Sequence, residues 1–225
     1  MRTRVKICGL TRPDEALQAC QLGADAIGLV FYEKSPRAVS IDQAHAIRRV
    51  LPAWVCCVGL FVNSSAKTIH DTANAVGLSH IQLHGDEPPS LAQGLCHPVI
   101  KAIRVPADLT QDSKGLSEVT EVIQAWKSIA QALLFDADSA GFGGSGNSFD
   151  WGLLPALTKG LGNGWVLSGG LNPGNVEQAV VALRPPCVDV SSGVEQERQG
   201  ILHKGRKDLR KMEVFLQAVA LADAT

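Results

Sequence analysis

The sequence predicts an α/β chain folded as a single (β/α)8 TIM barrel, and three features point that way. Short runs rich in β-formers alternate with amphipathic stretches from end to end. Several runs, such as AIGLVF at 26–31 and WVCCVGLFV at 54–62, are apolar at nearly every position, which suits strands covered on both faces. Eight strand–helix units in 225 residues average about 28 residues each, the spacing such a barrel needs. A doubly wound open sheet uses the same alternation and is the runner-up. AIGLVF and CVGLFV resemble one another weakly, a hint of repeated units.

Strands are expected at residues 4–8, 25–31, 54–62, 80–83, 99–104, 132–137, 165–168 and 187–191. After the first, Thr11 followed by Asp14 fits a capping box, Pro13 is tolerated in a first turn, and Gly23 marks a stop. Ser40 or Asp42 opens the next helix, which runs through Val50 and is closed by Pro52. A fifth helix is expected near 116–127. Asn172 then Pro173 is a helix start, because Asn caps well and Pro suits the first helical position. The last helix begins near Arg206, with Leu209, Met212, Leu216 and Val219 on one stripe. No linker, low-complexity tract or composition break divides residues 1–225, so one domain is expected.

Composition narrows the function classes. Lys and Arg number 21 against 22 Asp and Glu, for a formal charge of −1, and no basic run stands out, so no nucleic-acid partner is expected. Six cysteines, at 8, 20, 56, 57, 96 and 187, form no Cys-x-x-Cys pair, which reads as reduced thiols in a cytoplasmic protein. MRTRVKICGLTRPDE turns charged before any signal-length apolar stretch develops. The longest apolar run, 54–62, is too short to span a bilayer, so no membrane partner is expected either.

Barrels of this kind build active sites from the C-terminal ends of strands and the loops after them. Cys8 ends the first strand, just before Gly9. A lone cysteine is most often a small buried apolar residue. At a strand's mouth it becomes a candidate base, provided its surroundings stabilise a thiolate whose thiol ordinarily titrates near ~8.5. Lys6 is expected on the other strand face and is not assigned that task. Asp136 ends the apolar run ALLFDA, where a carboxylate is costly unless paired or solvated. A cap or salt bridge is its plainer alternative, and only one of Asp136 and Asp138 can continue the inward face.

Three glycine-rich turns follow: GFGGSG at 141–146, Ser168-Gly169-Gly170 and Ser191-Ser192-Gly193. Glycine lets backbone N–H groups converge on an anion, and the succession matches the phosphate site that barrels place after strands seven and eight. GFGGSG satisfies the dinucleotide pattern literally. It stands beyond its strand, however, with no acid about 20 residues on, so NAD is rejected. His80 and His84 lack a third ligand and lie on a strand, which argues against zinc. Gln82 and His84 are expected to line a substrate pocket, with a structural role for His84 as the alternative. Arg37, after Lys34-Ser35-Pro36, is a candidate partner for a substrate carboxylate, against a solvated loop arginine.

Together these segments resemble the phosphoribosylanthranilate isomerase family of tryptophan biosynthesis over nearly the whole chain. They are KICGLT at 6–11, GADAIGLVFYEKSPR at 23–37, VGLFVN at 58–63 and IQLHGDE at 81–87, then GGSGNSFDW at 143–151, LSGGLNPGNV at 167–176 and VDVSSGVE at 188–195. The resemblance implies an Amadori rearrangement of N-(5-phosphoribosyl)anthranilate to 1-(2-carboxyphenylamino)-1-deoxyribulose 5-phosphate. It makes Asp136 the general acid that opens the furanose ring and Cys8 the general base that takes the C2 proton. It gives Arg37 the anthranilate carboxylate, and gives the backbone of Gly144, Gly170, Ser192 and Gly193 the phosphate, with Gly169 in the same turn. It implies proton transfer throughout, with no metal and no cofactor. One departure stands out: the family's Pro-Gly-x-Lys-Asp segment is here Lys204-Gly205-Arg206-Lys207-Asp208, after a lengthened QERQGILH. The shape of the loop after strand eight is open for that reason.

Rival barrels leave different marks. Indole-glycerol-phosphate synthase would want a catalytic lysine inside the barrel, for which Lys6 and Lys101 are the strand candidates. The histidine-pathway isomerase would want paired aspartates on strands one and five, where Cys8 and residues 101–104 stand. A non-catalytic phosphosugar-binding barrel is the rival of another class. Acceptance of a second aminoaldose stays open, and a monomer is favoured over a homodimer.

Overall fold

A computed structural model describes residues 2–110, 114–137 and 148–225. Eight parallel strands close in chain order: β1 (Arg4–Cys8), β2 (Ala26–Val30), β3 (Cys56–Phe61), β4 (His80–Leu83), β5 (Val99–Val105), β6 (Ala132–Ala137), β7 (Trp165–Leu167) and β8 (Cys187–Val190). Closure rules out the open sheet. It is made by β1, where Lys6 stands opposite Ala26 on one side and Asp189 on the other. Helices α1 (Pro13–Gln21), α2 (Ile41–Val50), α3 (Ala66–Val76), α4 (Pro89–Gln93), α5 (Lys114–Trp126), α6 (Leu154–Leu157), α7 (Val176–Leu183) and α8 (Leu209–Asp223) fill the connections. The lengthened segment after β8 forms an antiparallel hairpin, β9 (Glu195–Arg198) with β10 (Ile201–Lys207).

The period-two alternation of strands divides the buried side chains into two sets. Ile7, Ile27, Phe61, Ile81, Phe135 and Leu167 belong to the large core that also takes in Ala16, Ile47, Ile69 and Phe215 from the helices. The inner face carries two smaller clusters, Cys8 with Val30, Leu60 and Val62, and Ala102 with Leu134 and Val166. Burying one such aliphatic side chain contributes roughly 1.5–3 kcal/mol, so the doubly apolar strands follow directly from a sheet covered on both sides.

Local end signals were partly redirected by tertiary partners. Ser40 caps α2 in a full capping box with Gln43. Thr11 does not open α1. The N-cap is Arg12 without a side-chain bond, and the Thr11 hydroxyl donates instead to the Gly205 carbonyl at 2.6 Å. α7 starts at Val176, not after Asn172, because Asn172 and Asn175 close a turn first: Gly174 N–H donates to Asn172 Oδ1, and Asn172 N–H to Asn175 Oδ1. α8 starts after Asp208, which accepts from Lys211 N–H, while Arg206 lies in β10. Trp54, expected in the third strand, is 95% exposed. A turn closed by Val55 N–H on the Pro52 carbonyl precedes β3. Among the described residues no helix is long and apolar enough to cross a membrane.

Candidate active site

The carboxyl ends of the strands gather the polar residues that sequence reasoning selected, together with several it missed. Cys8 ends β1 on the inner face, buried beside Val30 and Leu60. Lys6 lies on that same face, contrary to expectation. Residues i and i+2 of a strand share a side, and that parity was the available signal. A Cβ placed on Gly28, the register partner of Cys8, would lie 2.7 Å from Cys8 Sγ and 3.0 Å from Lys6 Nζ. Lys6 Nζ donates to Asp189 Oδ1 at 3.0 Å. Burial pushes the Cys8 thiol above its ordinary pKa, Lys6 and Lys207 pull it down, and Asp189 pushes it up, leaving it raised.

Asp136, at the end of β6, is buried, and its carboxyl has neighbours. Ala137 N–H donates to Oδ1 at 3.0 Å, and His84 Nε2 stands 3.3 Å from Oδ2. Gln82 Nε2 lies 2.9 Å from His84 Nδ1. With the amide nitrogen donating, Nδ1 accepts and the imidazole proton sits on Nε2, on the Asp136 side. The His84–Asp136 approach is not aligned as a hydrogen bond. His84 Nε2 and Gln82 Oε1 are thus buried polar atoms with no hydrogen-bond partner among the described residues. A polar group from a bound molecule would satisfy both.

Arg37 is neither exposed nor solvated. Its Nε and Nη2 grip Glu195 Oε1 and Oε2 at 2.7 and 2.8 Å, a bidentate pair across 158 positions of sequence. Glu195 also accepts from Gly205 N–H at 2.8 Å and lies 3.3 Å from Lys207 Nζ. Burial would push its carboxyl up, but Arg37, Lys207 and the Gly205 amide hold it below the ordinary carboxylate range. Lys207 in turn donates to the Ser191 carbonyl at 2.9 Å, and its own pKa is lowered, chiefly by burial. No local signal announces the Arg37–Glu195–Lys207 network, because 158 positions separate Arg37 from Glu195.

The turns after β7 and β8 sit backbone against backbone. Gly169 and Gly170 have φ of +79° and +73°, where side chains are strained. A Cβ on Gly169 would come 2.7 Å from Ala137 N, and one on Gly193 2.0 Å from the Leu171 carbonyl oxygen. Ser192 and Gly193 form a single 3-10 turn with Val194. The amides of Asn172 and Asn175 both donate to the Gly170 carbonyl. Gly144, Asp138 and the rest of the GFGGSG turn lie outside the described residues.

Lys101 is no catalytic candidate. It sits on the outer face, donates to Glu87 at 2.8 Å and to the Gly85 carbonyl at 2.5 Å, and lies over the Trp126 ring. Among the described residues no three His, Cys, Asp or Glu side chains are grouped to hold a metal ion. What the site offers is a thiol and a carboxyl at strand ends, with polar neighbours suited to moving protons.

Known proteins share this architecture along its length. The family described as N-(5'phosphoribosyl)anthranilate (PRA) isomerase matches residues 5–218. An N-(5'-phosphoribosyl)anthranilate isomerase of Pseudomonas putida (strain W619) is 46% identical, covering 97% of this chain and 98% of the relative. The crystal structure of phosphoribosyl anthranilate isomerase from Thermotoga maritima superposes with a TM-score of 0.83 at 38% identity, covering 97% of this chain and 98% of that one. A phosphoribosyl anthranilate isomerase in complex with reduced 1-(o-carboxyphenylamino)-1-deoxyribulose 5-phosphate superposes with a TM-score of 0.79 at 36% identity, over 97% of this chain and 98% of that one. With a family match over residues 5–218, a relative 46% identical over nearly its full length and a closed barrel that superposes on a solved member, the chain belongs to the N-(5'-phosphoribosyl)anthranilate isomerase family.

Proposed function

We propose that this enzyme isomerises N-(5-phosphoribosyl)anthranilate to 1-(2-carboxyphenylamino)-1-deoxyribulose 5-phosphate in tryptophan biosynthesis, with Asp136 as general acid and Cys8 as general base. The observation that carries the role assignment is the placement of Cys8 and Asp136, both buried, at the carboxyl ends of β1 and β6. That is where barrel chemistry is built. A protonated Asp136 delivers its proton to the furanose ring oxygen as the C1–O bond breaks, and the anthranilate nitrogen lone pair forms the Schiff base. The Cys8 thiolate then removes the C2 proton, its electrons shift to C1–C2, and the resulting enolamine takes a proton at C1 as the 2-hydroxyl becomes the ketone. Every step moves a proton, so no metal or cofactor is assigned.

The remaining assignments follow from chemistry at each position. The N–H groups of Gly169, Gly170, Ser192 and Gly193, with Gly144, are assigned to the phosphate, supported by the left-handed glycines and the close approach of the two turns. Gln82 and His84 are assigned to the substrate, supported by the unpartnered Gln82 Oε1 and His84 Nε2. Arg37 is assigned to the anthranilate carboxylate, with Glu195 fixing its guanidinium plane. We read residues 1–225 as one domain and the enzyme as a cytoplasmic monomer. Its described cysteines are free, and its exposed large apolar side chains, Trp54, Ile201 and Leu221 among them, belong to separate elements.

Loss of substrate fluorescence in a steady-state assay tests the roles. Asp136→Asn and Cys8→Ala should each lower kcat at least ~100-fold, the usual range for a lost acid or base, with KM within a few-fold. Near-normal turnover in either variant would remove that residue from the scheme.

A further inference from the structure

Inside the barrel lies a buried ion pair for which the proton-transfer scheme has no use. Lys6 is 3% exposed and Asp189 5%, and they are joined at 3.0 Å. Such a pair is seldom more stabilising than apolar side chains of the same volume, because desolvation offsets the attraction. Stability alone is therefore a poor account of its presence. Its position is more telling. Lys6 and Cys8 share the inner face of β1, and Sγ and Nζ both reach the small space that a side chain at residue 28 would fill. Gly28 leaves that space open between thiol and ammonium.

Cys8 otherwise faces an apolar wall of Val30, Leu60 and Val62, with Tyr32 packed on the same cluster. A thiolate cannot persist there without a cation. Among the described residues, the charged groups that act on it are Lys6 on its own strand, Asp189 on β8 and Lys207 at the end of β10. Lys207 is engaged by Ser191 and Glu195, and its pull on the thiol is weaker than that of Lys6. Lys6 is the one held at the thiol.

We propose that Lys6, anchored by Asp189, is a positioning residue of the isomerase reaction whose ammonium stabilises the Cys8 thiolate that takes the C2 proton. The proposal rests on Cys8 being the general base. Asp189 keeps Lys6 charged: burial would discharge the amine, but Asp189 and the thiolate outweigh it and hold the lysine pKa above its ordinary value. Against the Cys8 thiol, burial is the largest upward influence and Lys6 the largest downward one.

The test is the pH dependence of iodoacetamide alkylation at Cys8, read by fragment mass spectrometry, beside the pH profile of kcat. Wild type, Lys6→Met, Lys6→Arg and the double variant Lys6→Met/Asp189→Asn are compared. In Lys6→Met the alkylation midpoint should rise by about one pH unit or more, the scale expected for losing an adjacent counter-charge. The low-pH limb of kcat should move up with it, kcat at neutral pH should fall at least tenfold, and KM should stay within threefold. Lys6→Arg should restore most of the midpoint. The double variant leaves no unpaired buried carboxylate, so it keeps the test valid if Lys6→Met does not fold. It should show a smaller rise of the same sign, because it also removes the opposing influence of Asp189. An unmoved midpoint in a folded Lys6→Met or double variant overturns the proposal alone. Near-normal turnover of Cys8→Ala overturns the general-base reading and the proposal with it.

Discussion

The inner face around Cys8 is filled to the point where one methyl group matters. A Cβ on Gly28 would lie 2.7 Å from Sγ and 3.0 Å from the Cys8 Cα, against backbone that cannot yield cheaply. Gly28→Ala should therefore cost about 1–3 kcal/mol of stability, the usual penalty for overpacking. It should also lower kcat by about 10- to 100-fold by displacing Cys8, the proposed base. Thermal melts and steady-state kinetics check the two effects separately. At this scale the sequence was legible in part. Strand-end position made Cys8 and Asp136 candidates, but it did not decide against a buried apolar cysteine or a capping acid, and the role of Cys8 comes mainly from the family resemblance. Lys6, expected on the other strand face, shares the face of Cys8, as strand parity requires of residues i and i+2. Asp189, between Val188 and Val190 in an apolar run, carried the same signal as Asp136. Neither partner of the ion pair reveals the other, since 183 positions separate them.

Elements were legible where their signals are local and lost where tertiary partners claim them. Ser40 and Gln43 are three residues apart and behave as the capping box predicts. Thr11 carries an equally good local signal, but its hydroxyl is taken by Gly205 in β10. That hairpin is the least predictable element and ties much together. Arg206 and Lys207 N–H bind Glu15 of α1, and Glu195 binds Arg37 from the loop after β2. The Glu195 carboxyl is held below its ordinary pKa of 4.5 in the folded chain. A depressed carboxylate stabilises the fold above the unfolded pKa, and that contribution is lost as pH falls through the folded value. The wild-type melting temperature should thus drop on acidification below about pH 4.5, more steeply than that of Glu195→Gln, whose curve at neutral pH should start lower. Parallel acid-series melts check the sign. A neutral-pH melt unchanged by Glu195→Gln would remove Glu195 from the account of how the hairpin is held.

At the scale of the whole molecule, alternation in the sequence left two folds open, and one strand pair separates them. β1 pairs with β8, which no local pattern announces, because closure depends on strands 183 residues apart meeting in register, Lys6 opposite Asp189. Closure brings β1 and β6 to one mouth with the turns after β7 and β8 beside them. The glycine signal for those turns was readable because backbone contacts such as Gly193 against Leu171 admit no side chain. The ion pair that helps close the barrel is also the one proposed to hold the thiolate. The central claim is the division of labour, acid at Asp136 and base at Cys8. It is tested most directly with substrate deuterated at C2. Removing the base should make C2–H cleavage limiting, so Cys8→Ala should show a full primary isotope effect on its residual kcat. Removing the acid should make ring opening limiting, so Asp136→Asn should show an isotope effect near unity. The reverse pattern, or equal effects in both variants, would contradict the assignment.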